Sequence, residues 1–283
     1  IYSDEDKIIE DTGMHTEAHF KSDLNMELLR RNNYICHLCV VKKSLADKAG
    51  ELKTEYNGAQ DHDYVLRCAE IAECVRHIPK ILYHWRISDN STAKSASVKT
   101  YANTAGVNAV AAHIKRIGLD GKVTNGVAPG FYDIDYKLEG EPFVSVIIPN
   151  KDHLEDLTRC IESMEQVNNY HNLEYIVVEN NSVLDETFAG YEAMEKKYGD
   201  KFKLVKWDGI FNYSAINNYG IQSAKGDYIL LLNNDTEVIE PDSLRRMLAL
   251  CQRPDVGIVG AKLLYDDNTV QHAGVIIGYQ GVA

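Results

Sequence analysis

The second half of the chain constrains the fold more than any other feature. Val144, Ser145, Val146, Ile147, Ile148 and Pro149 form an apolar run that stops at a proline. Leu154, Leu157, Ile161 and Met164 then recur at helical spacing. Further strand-like runs at 173–179, 202–205 and 228–232 alternate with helical patterns. The first helical pattern carries Phe188, Tyr191, Met194 and Tyr198 on one face, and the others cover 214–224 and 243–251. Residues 256–259 continue the alternation. Unbroken apolar runs are what strands buried on both faces require. Strands separated by helices imply a doubly wound, mostly parallel α/β sheet. Ligands of such sheets sit beyond the carboxyl ends of the strands.

The first half reads differently. Ser3, Asp4, Glu5 and Asp6 look like an acidic loop, with no alternating strands before it. A helix is expected after Asp61, with Val65, Cys68, Ala69 and Ala72 on one stripe. Pro79 is expected to separate two short extended pieces ending at Tyr83-His84-Trp85, and 89–92 reads as a turn. An alanine-rich helix is expected over 95–117, stopping at Gly118. Gly121, Gly126, Pro129 and Gly130 read as a loop. Tyr132, Ile134, Tyr136 and Leu138 alternate with polar residues, as in a half-buried strand. Gly140-Glu141-Pro142 marks a boundary.

Composition narrows the class. With 283 residues, about two domains are expected. A net charge of −12 disfavours nucleic acid and anionic lipid as partners. The apolar runs are far shorter than the ~20 residues that span a bilayer, and no secretory signal opens the sequence. The start at Ile1 reads as a window cut from something longer. Six cysteines are too few for a disulfide scaffold and read as reduced. Cys36-His37-Leu38-Cys39 has zinc-knuckle spacing, but no second pair follows, and buried core cysteines are the better reading.

No G-x-G-x-x-G and no G-x-x-x-x-G-K-[ST] occurs, so a diphosphate would have to be held by a cation rather than by a glycine loop. Two acidic places could serve: Asp235, where the run 230–232 emerges into Asn233-Asn234, and the cluster Asp4-Glu5-Asp6. One or two carboxylates with phosphate oxygens and water suffice for Mg²⁺ or Mn²⁺. By themselves such triplets are more often solvated turns.

Their setting adds to this. Asn218-Tyr219-Gly220, then Lys225-Gly226-Asp227-Tyr228, the apolar run and Asn233-Asn234-Asp235 resemble the family 2 inverting glycosyltransferases, whose pattern is N-x-G, A-x-G-[DE]-Y, a strand and D-x-D. Asn233 stands where the first Asp is usual. Residues 144–149 resemble that family's first strand. Residues 175–182, with Glu179-Asn180, resemble its second. Tyr2-Ser3-Asp4-Glu5-Asp6-Lys7, the segment Gly58 to Arg67 containing Gln60-Asp61-His62-Asp63, and 77–86 followed by Ser91-Thr92-Ala93 resemble later segments of tandem glycosyltransferases that build bacterial surface polysaccharide.

The resemblance implies GT-A-type units, each incomplete. Residues 1–93 would be the acceptor-side end of a first domain, 94–140 an interdomain helix and linker, and 141–283 the nucleotide-side beginning of a second. It implies an inverting, metal-assisted transfer, of hexosyl or rhamnosyl type, from a nucleotide-diphospho-sugar to a glycan or lipid-linked glycan. The place would be the cytoplasm, at the inner face of the membrane. Asp61 is the implied base. Pro149, Glu179, Asn180, Asn218 and Asn233 are the implied nucleotide contacts. Asp235, Asp4, Asp6 and His84 are the implied ligands of Mg²⁺ or Mn²⁺. Each has a structural alternative: an N-cap for Asp61, a packed histidine for His84, a turn brace for Asn218, and core packing rather than sugar stacking for Trp85 and Trp207. Asp63 reads as structural or as an acceptor contact. The other function class left open is a non-catalytic nucleotide-sugar-binding or scaffolding module. Incomplete halves would also expose apolar surface and favour self-association.

Overall fold

A computed structural model describes residues 1–87 and 100–274. The chain divides into two compact units, 1–137 and 138–283.

The first unit holds β1 (Tyr2–Ile9), β2 (His15–His19), α1 (Met26–Arg31), α2 (Lys43–Ala49), α3 (Gln60–Ile71), β3 (His77–Ile87), α4 (Thr100–Arg116), β4 (Gly121–Asn125) and β5 (Tyr132–Tyr136). The expected acidic loop is instead β1, the middle strand of a sheet ordered β2-β1-β3. Its carboxylates are buried, Asp4 at 3% and Asp6 at 6% exposure. Histidines and a lysine from neighbouring segments supply the compensation that buried charge needs. β1 runs antiparallel to β2 and parallel to β3.

Pro79 does not break the chain. β3 is continuous, and its register against β1 slips between Ser3↔Ile78 and Asp4↔Ile81, so the proline falls where no ladder N–H is required. The segment read as a loop around Gly121 is β4, a hairpin partner of β5. Gly121 permits it, because a Cβ there would lie 2.9 Å from the Asp135 carbonyl oxygen. α4 packs on α3 and β4 and buries Ala105, Ala109, Val110 and Ile114. By compactness, α4, β4 and β5, which come from the stretch read as an interdomain helix and linker, fall within the unit 1–137. The turn expected at 89–92 and the Ser91-Thr92-Ala93 segment lie outside the described residues.

The second unit holds β6 (Val144–Asn150), α5 (Leu154–Gln166), β7 (Leu173–Glu179), α6 (Asp185–Tyr198), β8 (Phe202–Lys206), α7 (Tyr213–Ile221), β9 (Tyr228–Leu231), α8 (Ser243–Cys251) and a short hairpin of β10 (Leu263–Leu264) and β11 (Val270–His272). Its main sheet is parallel throughout and ordered β8-β7-β6-β9. Strand alternation sends Val144, Val146 and Ile148 into a core with Leu157, Ile161, Met164, Tyr191 and Leu248. It sends Ile147, Ile176 and Val178 to the other face, against Ile216 of α7. Helices thus cover both faces, the expected α/β arrangement. Phe188, read as part of the buried face of α6, is exposed, and Thr187 takes its place. Residues 256–259 are not a strand: Ile258 is 90% exposed, and β9 is the last strand on that side of the sheet.

Candidate functional site

The strand order of the second unit reverses direction between β6 and β9, the switch point at which a crevice opens beyond the strand ends. The register places Asn150 at the end of β6 opposite Glu179 at the end of β7. Asn150 is buried and donates its side-chain amide to the Tyr191 hydroxyl (2.7 Å) and the Asp152 carbonyl (2.9 Å). Its Oδ1 accepts from Asn234 at 2.7 Å, in the loop after β9. Asp235 follows and is exposed. Glu179 is 1% exposed; one oxygen accepts the Ser182 N–H at 2.5 Å, and Oε2 has no partner among the described residues. Asn180 donates to the carbonyls of Trp207 and Gly209, so its amide holds the loop after β8. Pro149 stands one residue from the end of β6 and is partly buried.

Asn218 and Asn233 are exposed. The buried asparagine of α7 is its neighbour Asn217, which donates to the Tyr213 carbonyl at 2.8 Å. Gly220 lets α7 lie close on the sheet: a Cβ there would come within 2.6 Å of Ile147 and 2.8 Å of Val178. Gly226 and Asp227 also have structural duties. A Cβ on Gly226 would meet the Ser145 nitrogen at 2.5 Å, and Asp227 accepts the Phe143 N–H at 3.0 Å. Ser145 Oγ accepts the Lys225 and Gly226 N–H groups and donates to Glu174 at 2.7 Å. These contacts fix the amino end of β9 beside β6, at the opposite end of the strands from Asp235. Trp207 packs against Tyr219 and the smaller core cluster.

Asp152 and Asn150 carried no signal in the sequence pattern. Asp152 adopts a positive φ of 55° and accepts the N–H groups of Val183 and Leu184 at 3.0 and 3.1 Å. Desolvation opposes its charge, but those N–H groups and the Thr187 hydroxyl win and hold it below the usual carboxylate range.

In the first unit, Asp6 lies between two imidazoles. His84 Nδ1 reaches one oxygen, and His15 Nδ1 reaches the other at 2.8 Å. The His84 contact, more than the His15 one, pulls the Asp6 carboxyl down. These three donor atoms lie within 4.8 Å of one another. Asp4 is not in that group. It accepts the Lys21 N–H at 2.9 Å and sits 2.7 Å from His77 Nε2.

Asp61 is exposed in the first turn of α3 and accepts from the Asn33 amide at 3.0 Å. It is not the N-cap, which is Ala59. Asp63 is fully buried and bonded to Arg67 at 2.8 Å, a structural pair. Nearby His62 is buried with Nε2 2.6 Å from the Leu29 carbonyl, and burial pushes its pKa down, so it stays neutral.

The cysteines are all free, but only Cys68 and Cys160 are buried. Burial, reinforced by the Glu5 and Asp61 charges, pushes the Cys36 thiol up to about 12, which removes it as a nucleophile near neutral pH. Trp85 is partly exposed and meets His37 edge-on.

Residues 145–276 match the family described as "Glycosyl transferase family 2", and the second unit belongs to it. The whole chain is similar to the protein described as "Uncharacterized protein y4gI" of Sinorhizobium fredii, 44% identical over 286 residues that make up 31% of that protein. It is similar also to "O-antigen biosynthesis protein RfbC" of Myxococcus xanthus, 38% identical over 283 residues, 22% of that protein. Both alignments cover 100% of this chain, which spans less than a third of either relative. Among solved structures, mannosyltransferase PcManGT from Pyrobaculum calidifontis, in complex with GDP-Man and Mn²⁺, aligns with a TM-score of 0.39 and 21% identity over 42% of this chain and 34% of its own. No described helix is long and apolar enough to cross a membrane.

Proposed function

We propose that this chain belongs to an enzyme that transfers a sugar, with inversion and metal assistance, from a nucleotide-diphospho-sugar to a glycan or lipid-linked acceptor in bacterial surface polysaccharide synthesis. The family match of the second unit supports the reaction class. The observation that carries this reading is the Asn150–Asn234 hydrogen bond, which ties the loop bearing Asp235 to the end of β6, in register with Glu179, whose buried Oε2 has no partner among the described residues. Glu179 and Asn180, with Pro149 on the neighbouring strand opposite Val178, would grip base and ribose, and Asn218 and Asn233 are exposed for contact. Gripping the nucleotide fixes the sugar carbon for attack.

A divalent cation, Mg²⁺ or Mn²⁺, would neutralise the departing diphosphate. In the second unit Asp235 would hold it; a single exposed carboxylate fits an ion whose other ligands are phosphate and water. In the first unit Asp6, His84 and His15 converge as a ligand set should. Asp61, exposed and oriented by Asn33, would accept the acceptor hydroxyl's proton. A first domain ending near 93 and a second beginning near 141 follow the tandem reading, as do self-association and a cytoplasmic place at the membrane. The printed name of the Myxococcus xanthus relative supports the polysaccharide role.

The test is titration of the purified chain with UDP-, dTDP- and GDP-sugars in the presence of Mn²⁺, with donor binding and hydrolysis followed together. Binding with hydrolysis supports the enzyme. Binding alone favours the scaffolding module. No binding of any donor removes the reading.

A further inference from the structure

The three-stranded sheet of the first unit carries donor atoms on both faces. Cross-strand register pairs Glu5 with Tyr83 and Asp6 with His84, and successive strand residues face opposite ways. Asp6, His84 and His15 are therefore on one face. On the other, His37 stacks on Tyr83 with ring centroids 4.7 Å apart and brings Nδ1 to 3.0 Å from Glu5 Oε2. Cys36 Sγ is 3.2 Å from the same nitrogen. We propose that Glu5, Cys36 and His37 form a second cation site, separate from Asp6, His15 and His84, that takes a thiophilic divalent ion such as Zn²⁺.

The donor chemistry makes the choice. Sulfur, imidazole nitrogen and one carboxylate oxygen suit zinc, whereas Mg²⁺ and Ca²⁺ take oxygen. Zinc bonds of about 2.0–2.3 Å put tetrahedral ligands roughly 3.3–3.8 Å apart. The three donor atoms already lie within 4.8 Å of one another, so a small rotation of each side chain closes the set. The carboxylate is held for this. Its Oε1 faces the buried Lys21 ammonium at 3.7 Å, and Lys21 also donates to the carbonyls of Ile35 (2.8 Å) and His37. One lysine thus fixes both Glu5 and the turn that bears the other two ligands, and it leaves Oε2 to the ion. Cys36 and His37 are partly exposed, which gives an entry path and room for water as the fourth ligand. On binding, the Cys36 proton passes to solvent, and thiolate and carboxylate together balance the ion's charge. The site does not depend on glycosyl transfer.

The experiment uses the purified whole chain with Co²⁺ as the probe. A near-ultraviolet thiolate-to-cobalt band is expected at one equivalent, displaced by Zn²⁺. It should vanish in Cys36→Ser, need at least about tenfold more cobalt in Glu5→Gln, and persist in Asp6→Asn and Cys39→Ser. A missing band in the parent protein, or one that survives Cys36→Ser, overturns the proposal. Zinc K-edge absorption decides the matter if Cys36→Ser does not fold. The zinc-loaded Cys39→Ser chain should show one sulfur ligand at about 2.3 Å; a shell of nitrogen and oxygen alone overturns the site.

Discussion

Asn234 donates its side-chain amide to Oδ1 of Asn150 at 2.7 Å, joining the loop after the edge strand β9 to the end of the neighbouring strand β6. Asn150 is buried, so its acceptor loses its partner when Asn234 is removed. An unmatched buried acceptor costs about 1–3 kcal/mol. Asn234→Ala should therefore lower stability by about that amount in a urea melt. It should also weaken donor binding by freeing Asp235. Donor affinity equal to that of the parent would show that this loop is not part of the site.

Asp235 itself is exposed, and its loss should leave the fold intact. Asp235→Asn is expected to reduce Mn²⁺-dependent donor turnover by about 100-fold or more, the scale at which a transition-state charge partner acts. Its melting curve should overlay that of the parent. A rate within twofold of the parent, measured at saturating Mn²⁺, removes Asp235 from the ligand set.

Asp61 and Asp63 lie two residues apart on α3 and should respond in opposite ways. Asp61 is exposed, so Asp61→Asn should spare stability and cut kcat by about 10²–10⁴-fold if it is the base. Asp63 is fully buried against Arg67 at 2.8 Å, and Asp63→Asn removes the counter-charge of a buried guanidinium that keeps its bonds to the carbonyls of Ala49 and Glu51. Breaking one side of such a pair costs about 3–5 kcal/mol. Paired melts and initial rates on the two variants separate the roles; an active Asp61→Asn ends the base assignment.

The second unit was legible because its signals are local. The runs at 144–149, 173–179, 202–205 and 228–232 form strands within a residue or so of their expected limits, though 256–259 does not; the central β6 and β7, buried on both faces, leave no polar alternation to misread. The first unit was not, because its decisive facts are long-range. Asp4-Glu5-Asp6 reads as a loop until five histidines distant in sequence are seen to compensate it: His77 for Asp4, His19 and His37 for Glu5, His15 and His84 for Asp6. Pro79 was expected to end a strand, and a register slip absorbs it. Of the site, the sequence pattern pointed to Glu179, Asn180 and Asp235, but not to Asn150, whose partners are 41 and 84 residues away. The family's glycines, Gly220 and Gly226, were visible as motif positions; that they serve close packing became clear only in three dimensions.

That packing role is itself testable. A methyl group at 220 would come within 2.6 Å of Ile147, which is fully buried beneath α7. Overfilling a dense core costs about 1–3 kcal/mol. Gly220→Ala should lower the urea midpoint accordingly with an unchanged slope. A variant as stable as the parent would show that α7 shifts freely on the sheet.

Acid should loosen the first unit through Glu70. Arg30 Nε donates to Nε2 of His113 at 3.2 Å, so the neutral ring carries its proton on Nδ1, which lies 2.7 Å from Glu70. Arg116 adds a bidentate contact to the same carboxylate. Burial favours the neutral acid, but His113 and Arg116 outweigh it and bring the carboxyl from 4.5 down to about 2. A depressed carboxylate pKa stabilises the fold fully above the unfolded value, and that contribution fades as pH falls towards the folded value. Wild type should thus exceed Glu70→Gln in melting temperature at pH 6, and the gap should narrow below about 4.5 and close near 2. Because Glu70 keeps some contact with solvent, the gap should also shrink with added salt. A gap that stays constant from pH 6 to 3 would show that these partners do not govern the titration of Glu70.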